Sequence, residues 1–324
     1  MLIAFGQVAV GLIVLFVGGH YLVQGAVVIA LLARVSTAVV ALTVVAMGTS
    51  MPELAVSIDA TARGSTDIAF GNVIGSCIFN VGAILGVTAV IGAIPVKRLT
   101  IRFEYPVMLF VSALAIVLAY DGVVDRLDGM LLVVGLAMFI GAIAYLVRRG
   151  VPMDEAEALD RDVQRASHIR KGTARAWSRN GLLVVLGIVG LVIGADLAVA
   201  GSVTIARTLG ITERVVGLTI VAMGTSLPEL ATCIVAMARR EPDIALGNVV
   251  GSNIFNLLAI LGITATIFPV PVNPRAIAVD NWTMLAFALV LFPMMLRGHT
   301  IARLNGVLLL AGFTAFMAYV VMVG

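Results

Sequence analysis

The chain has 324 residues, of which 61% are hydrophobic and 12% charged, and its mean hydropathy is +1.11. A water-soluble domain is nearer half apolar and a quarter charged, so that class is excluded. The net charge is only +3, and the basic residues sit between apolar runs, where they report membrane topology and not a nucleic-acid-binding face.

Apolar runs longer than about 18 residues recur along the whole length and predict an all-α, polytopic membrane protein. Ten spans are expected, near residues 4–32, 37–62, 67–93, 103–120, 125–147, 180–206, 212–237, 243–269, 276–296 and 302–323. The first begins at Met1-Leu2-Ile3-Ala4-Phe5-Gly6, which lacks the positive region of a cleaved signal peptide and opens a run too long for one. The second carries Gly48-Thr49-Ser50-Met51-Pro52-Glu53-Leu54, and the third carries Gly71-Asn72-Val73-Ile74-Gly75-Ser76, followed by Asn80. After the fifth comes 148–179, a polar linker with five acids between Asp154 and Asp162 and a run of Arg and Lys, too short to be a domain. The seventh and eighth spans then repeat the polar strings as Gly224-Thr225-Ser226-Leu227-Pro228-Glu229-Leu230 and Gly247-Asn248-Val249-Val250-Gly251-Ser252, followed by Asn256. Cys77 and Cys233 both lie within spans, which suggests neither a disulfide framework nor a Cys/His ligand cluster.

The basic residues set the orientation. With the N-terminus outside, the inward loops hold Arg34, Lys97, Arg98, Arg102, eight residues of the linker region, Arg239, Arg240, Arg297 and Arg303. The outward loops hold only Arg63, Arg126, Arg207, Arg214 and Arg275. This bias predicts both termini outside and the linker in the cytoplasm, in a plasma (inner) membrane.

Adding 176 to a residue number maps Gly18 to Gly194, Gly25 to Gly201, Glu53 to Glu229, Asn72 to Asn248, Asn80 to Asn256 and Gly86 to Gly262, without a gap. Residues 1–147 and 180–324 are therefore read as two five-helix repeats. Five is odd, so the copies face opposite ways across the bilayer. Inverted repeats with polar, Gly/Pro-interrupted spans at matching positions point to alternating access, with a site near the midplane.

Glu53 lies four residues after Thr49, on one helix face, with Ser50 beside it. Pro52 removes the donor for the carbonyl of Gly48 and predicts a kink, and Pro228 does the same for Gly224. Asn72, Ser76 and Asn80 follow at intervals of four, as do Asn248, Ser252 and Asn256, with glycines that admit a close helix neighbour. Every donor in this set is an oxygen, as hard cations require, and two glutamates balance one Ca²⁺ while also suiting Na⁺. Intramembrane acids default to function. The other polar residues have plainer readings beside them. Ser and Thr often bond their own helix, Asn72 and Asn248 serve equally well as bonds across helices, and Asp67 and Asp243 read as helix caps. His20, Gln24 and Asp196 have only the equivalence of His20 with Asp196 in their favour. Cys77 stands where the other copy has Asn253 and reads as inert packing.

The doubled Gly-Thr-Ser-x-Pro-Glu-Leu and Gly-Asn-Val-x-Gly-Ser strings resemble the two α-repeats of the sodium/calcium exchanger family, and the resemblance covers essentially the whole chain. It implies a secondary antiporter exchanging several Na⁺ for each Ca²⁺, with no cofactor beyond the transported ions and a monomer as working unit. It further implies that Glu53 and Glu229 are ligands shared by Ca²⁺ and Na⁺. Thr49, Ser50, Thr225, Ser226, Ser76, Asn80, Ser252, Asn256 and the carbonyls of Ala46 and Ala222 would complete the site. The first and sixth spans would slide against this core. Some prokaryotic relatives carry Asp where this chain has Asn256, so here formal negative charge rests on the two glutamates alone. The family's long regulatory calcium-binding loop has no room in the linker.

The alternative coupling is Ca²⁺/H⁺ antiport, although proton-coupled relatives tend to carry Gly-Asn-x-x-Glu in place of Gly-Thr-Ser-x-Pro-Glu. A cation channel would need a different symmetry. No HExxH, GxSxG or paired catalytic Asp motif suggests an enzyme.

Overall fold

The computed structural model describes residues 1–33, 35–64, 66–148, 174–209 and 222–323. Most of the expected linker 148–179 and the first half of the expected seventh span lie outside the described residues. So do Arg34, Arg149, Arg161, Arg165, Arg170, Lys171 and Arg214 of the orientation argument.

The described chain is helical: α1 (Leu2–Ala33), α2 (Thr37–Thr49), α3 (Met51–Ala62), α4 (Thr66–Ile91), α5 (Thr100–Leu118), α6 (Arg126–Arg148), α7 (Ala174–Thr208), α8 (Leu227–Ala238), α9 (Pro242–Ile267), α10 (Ala276–Leu296) and α11 (Arg303–Val323). Eight of these are long and apolar enough to cross a membrane, and α2 with α3, bent by 40°, makes a ninth crossing if the pair is one span. The seventh expected span is described only from 222 onward, as the short turn Ala222–Gly224 and α8. Leu2, Ile3, Ile13 and Phe16 on α1, and Leu304 and Leu308 on α11, stand exposed on outer faces. Such apolar surface is a liability in water and ordinary against lipid.

A shift of 176 carries α3 onto α8 and α4 onto α9 end for end. Even irregular features follow. Wide π-helical turns begin at Asn80 and at Asn256, and again at Thr100 and at Ala276. Two short antiparallel clasps tie one half of the chain to the other: β1 (Ile94–Pro95) pairs with β4 (Thr300–Ile301), and β2 (Val123–Val124) with β3 (Val270–Pro271).

The centre belongs to α9, wholly buried along its apolar stretch, and to α4, mostly buried; α6 and α11 lie at the periphery. The long helices α1 and α7 pack along each other's backbones. A Cβ on Gly11 would lie 2.6 Å from the nitrogen of Ala198, and one on Gly187 2.6 Å from that of Leu22. Only glycine admits this approach, which makes the two helices one closely fitted unit. Gly247 and Gly251 of α9 meet α2 in the same way. Their counterparts Gly71 and Gly75 meet nothing among the described residues. The residues equivalent to their partners fall at 214 and 218, outside that set.

Asp67 and Asp243, expected as caps, do lie in the first turns of α4 and α9, and they also reach across the halves. Asp243 pairs with Lys97 at 3.0 Å, and Asp67 accepts from Asn273 at 3.4 Å. Lys97 and Asn273 are themselves equivalent positions. Lys97→Ala should cost no more than about 1 kcal/mol, because the pair is about a quarter exposed and the helix N-terminus still favours Asp243. Thermal inactivation in detergent measures it, and a loss well above that value would show that the pair holds the loop.

Candidate cation-binding site

The site is built where two helices break. Ser50, with φ −88° and ψ 8°, separates α2 from α3, and Ser226, with φ −92° and ψ 9°, precedes α8. Pro52 and Pro228 then fall in the first turn of the new helix, where a missing N–H costs nothing. The expected kink is therefore a full break, and Thr49 and Glu53 do not share one continuous helix face. The break gives each glutamate something an unbroken helix could not. Glu53 and Glu229 sit in first turns, where the positive end of the helix favours a carboxylate.

Both carboxylates are 1% exposed. Each is held by the serine of the other half: Ser50 Oγ donates to Glu229 Oε1 at 2.9 Å, and Ser226 Oγ to Glu53 Oε1 at 2.9 Å. Thr49 Oγ1 donates to Asn248 Oδ1 at 3.3 Å, and Thr225 Oγ1 to Asn72 Oδ1 at 3.4 Å. Asn72 Nδ2 reaches the main-chain oxygen of Glu53 at 3.1 Å and Ser57 Oγ at 3.0 Å. Asn248 Nδ2 lies 3.6 Å from Cys233 Sγ. Asn72 and Asn248 thus brace α3 and α8 and orient the threonines. Ser76 Oγ lies 3.3 Å from Ser226 Oγ. The carbonyl of Ala46 already accepts from Ser50 N at 3.0 Å, and it lies 3.3 Å from Thr49 Oγ1, whose one proton it shares with Asn248 Oδ1. Ala222 begins the turn before Gly224.

The remaining oxygens carry the chemical message. Glu53 Oε2, Glu229 Oε2, Asn80 Oδ1, Asn256 Oδ1 and Ser252 Oγ are buried, and none has a hydrogen-bond partner among the described residues. A buried polar atom left without a partner costs roughly 1–3 kcal/mol, more when charged, and native structures hold few of them. Thr264 Oγ1 and the side-chain amide of Asn281 are also buried without a partner among the described residues, away from the motifs; the five above all belong to residues that the doubled motifs single out. They are carboxylate, amide and hydroxyl oxygens, the donor types that hard cations take.

His20, Gln24 and Asp196 take no part in these bonds. His20 is exposed on α1 against Arg239, whose Nη1 lies 3.1 Å from its carbonyl oxygen. Asp59 forms an exposed ion pair with Arg63. The residue that sequence reasoning passed over is Asn253. It is 3% exposed, and Oδ1 accepts from Asn80 Nδ2 at 2.9 Å. The signal was an amide in the middle of a span, one turn before Asn256, where the other repeat has an uncharged cysteine.

Paired acids inside a helical membrane bundle, completed by neutral oxygens, define a protein that handles cations within the bilayer. Comparison with known proteins agrees. Residues 3–147 and 180–322 match the family described as "Sodium/calcium exchanger protein". The chain is 33% identical to the sodium/calcium exchanger MaX1 of Methanosarcina acetivorans, with 95% of each chain covered. It is also 33% identical to the inner membrane protein YrbG of Escherichia coli (strain K12), with 98% of this chain and 97% of that one covered. A solved structure of the sodium-calcium exchanger NCX_Mj, soaked with zero Na⁺ and Ca²⁺, superposes with a TM-score of 0.83 at 30% identity, covering 98% of this chain and 99% of the other. The chain belongs to the sodium/calcium exchanger protein family, whose members are transporters and not enzymes. It is accordingly an integral, multi-pass membrane protein.

Proposed function

We propose that this protein exchanges Na⁺ for Ca²⁺ across the inner membrane by alternating access. Five partnerless oxygens on the motif residues, drawn from both repeats, carry the reading. Glu53 and Glu229 are the charged ligands, Asn80, Asn256 and Ser252 the neutral ones, and Ser50 and Ser226 hold the carboxylates in place. Thr49, Thr225 and Ser76 support the cage, and the carbonyls of Ala46 and Ala222 border it.

The mechanism follows from charge. Two carboxylates in a low-dielectric interior cannot face each other bare. One Ca²⁺ cancels their charge, and Na⁺ ions compete for the same oxygens. Either cargo lets the closed site pass between the two faces, and the uncompensated site does not pass, which enforces exchange. The fitted pair α1 and α7 is the body that moves across the core. Two inverted five-helix repeats, 1–147 and 180–324, joined by a cytoplasmic linker at 148–179, supply the two faces, with both termini outside. A single chain surrounded by lipid suffices.

Purified protein in liposomes should take up ⁴⁵Ca²⁺ when an outwardly directed Na⁺ gradient is imposed, and should not respond to ΔpH or K⁺ alone. Uptake that follows ΔpH and ignores Na⁺ would replace this reading with Ca²⁺/H⁺ antiport.

A further inference from the structure

We infer that Asn253 is a positioning residue that sets the Ca²⁺ affinity of the site by fixing which face of the Asn80 amide meets the cation. This rests on the reading of Asn80 as a cation ligand.

An asparagine offers an acceptor on one side of its amide and a donor on the other, and only the oxygen binds a cation. Something must therefore choose the face. Asn253 Nδ2 lies 3.4 Å from the main-chain oxygen of Cys77 and 3.7 Å from Met108 Sδ. A carbonyl and a thioether carry no proton to donate. They oblige Asn253 to present its NH₂ to them, and Oδ1 must then face the other way. There it accepts from Asn80 Nδ2 at 2.9 Å. Were Asn80 turned over, its Oδ1 would oppose Asn253 Oδ1, acceptor against acceptor. The chain of obligations runs from one backbone carbonyl of α4, through α9, back to α4. It leaves Asn80 Oδ1 as the buried, partnerless atom offered to the cation.

The repeat supplies a contrast. Cys77 holds the position equivalent to Asn253, so by the repeat it stands toward Asn256 as Asn253 stands toward Asn80. Cys77 Sγ lies 3.9 Å from the main-chain oxygen of Asn253. A thiol is a weak donor and a weak acceptor, so it sets Asn256 more loosely than an amide oxygen sets Asn80. The half-sites thus share one geometry but differ in how firmly their amides are oriented, and the firmly set one depends on Asn253.

The test is a double-mutant cycle read as the KM for ⁴⁵Ca²⁺ uptake in proteoliposomes, with kcat recorded alongside. Asn253→Ala should raise KM by about tenfold or more, the usual scale for partners that orient metal ligands, with kcat little changed. In an Asn80→Asp background the same substitution should leave KM unraised, because a carboxylate has no wrong face. Asn253→Cys, which borrows the residue this chain already packs at position 77, should fall between wild type and Asn253→Ala. It replaces the alanine in the cycle if Asn253→Ala does not fold. An unchanged KM for both variants overturns the inference. So does a rise by the same factor in both backgrounds, which would mean a merely structural role. Wild-type protein that transports no Ca²⁺ removes the proposed function and this inference together. Wild-type uptake that is lost in Glu53→Gln but indifferent to residue 253 removes only this one.

Discussion

Glu53→Gln should abolish Na⁺-driven Ca²⁺ uptake, by at least about 100-fold, and Glu229→Gln should do the same. The substitution is nearly isosteric and keeps an oxygen for Ser226 to donate to, so the helix break and the cross-bonded serines survive. What is lost is charge. A Ca²⁺ facing one carboxylate instead of two keeps a net positive charge at a site 1% exposed. Removing one member of a buried charged pair costs about 3–5 kcal/mol, which is two to three decades in affinity or more. The measurement is ⁴⁵Ca²⁺ flux in proteoliposomes, with monodisperse elution in detergent as the folding control. Uptake within a few-fold of wild type in either variant would remove the glutamates from the centre of the mechanism. The roles of the two should also be alike, because each accepts from the opposite serine at 2.9 Å and each leaves its other oxygen without a partner.

The second large effect lies away from any charge. Gly251→Val should destabilise the protein and cut uptake by about tenfold or more. A Cβ at Gly251 would stand 2.4 Å from the main-chain oxygen of Leu42 and 2.8 Å from Ala46 Cβ. The obstacle is largely backbone, so α9 and α2 must separate. Overpacking of this kind typically costs about 1–3 kcal/mol in stability. The functional loss comes from where α2 leads, since it ends at Thr49, and Ser50 beyond it holds Glu229. Displacing α2 withdraws that serine. Gly181→Ala on α7, with nothing among the described residues within 4 Å of the new methyl group, is the control and should leave stability unharmed. Thermal inactivation and flux are measured together. If Gly251→Val matched Gly181→Ala in both, the close approach of α9 to α2 would carry no weight.

Much of this was legible in the chain itself, for identifiable reasons. Hydropathy shows spans because lipid satisfies no backbone group, so each crossing must be a long apolar helix. The seventh span could be counted in the sequence although only its second half is described. The glutamates stood out because an acid on an apolar helix is expensive wherever it lies. Asn80, Asn256 and Ser252 followed from their regular spacing of four along the spans after each glutamate, and three of the site's five partnerless oxygens sit on them. Other features were not legible. Thr49 and Glu53, four apart, looked like neighbours on one face, and the break at Ser50 parts them. Asp67 and Asp243 looked like local caps, yet each bonds to a residue more than 140 positions away. Asn253 looked unremarkable because its partners Cys77, Asn80 and Met108 are all distant in sequence.

By itself the sequence determined the membrane class, the doubling at an interval of 176 and the oxygen chemistry of the motif residues. Those depend on composition, on recurrence and on residue type, which a linear string contains in full. Tertiary structure alone decided which serine holds which carboxylate, which oxygens are left without a donor, and which way the Asn80 amide is turned. The physical reason is that a hydrogen bond is satisfied by proximity and direction, and in this protein nearly every decisive one crosses from one repeat to the other.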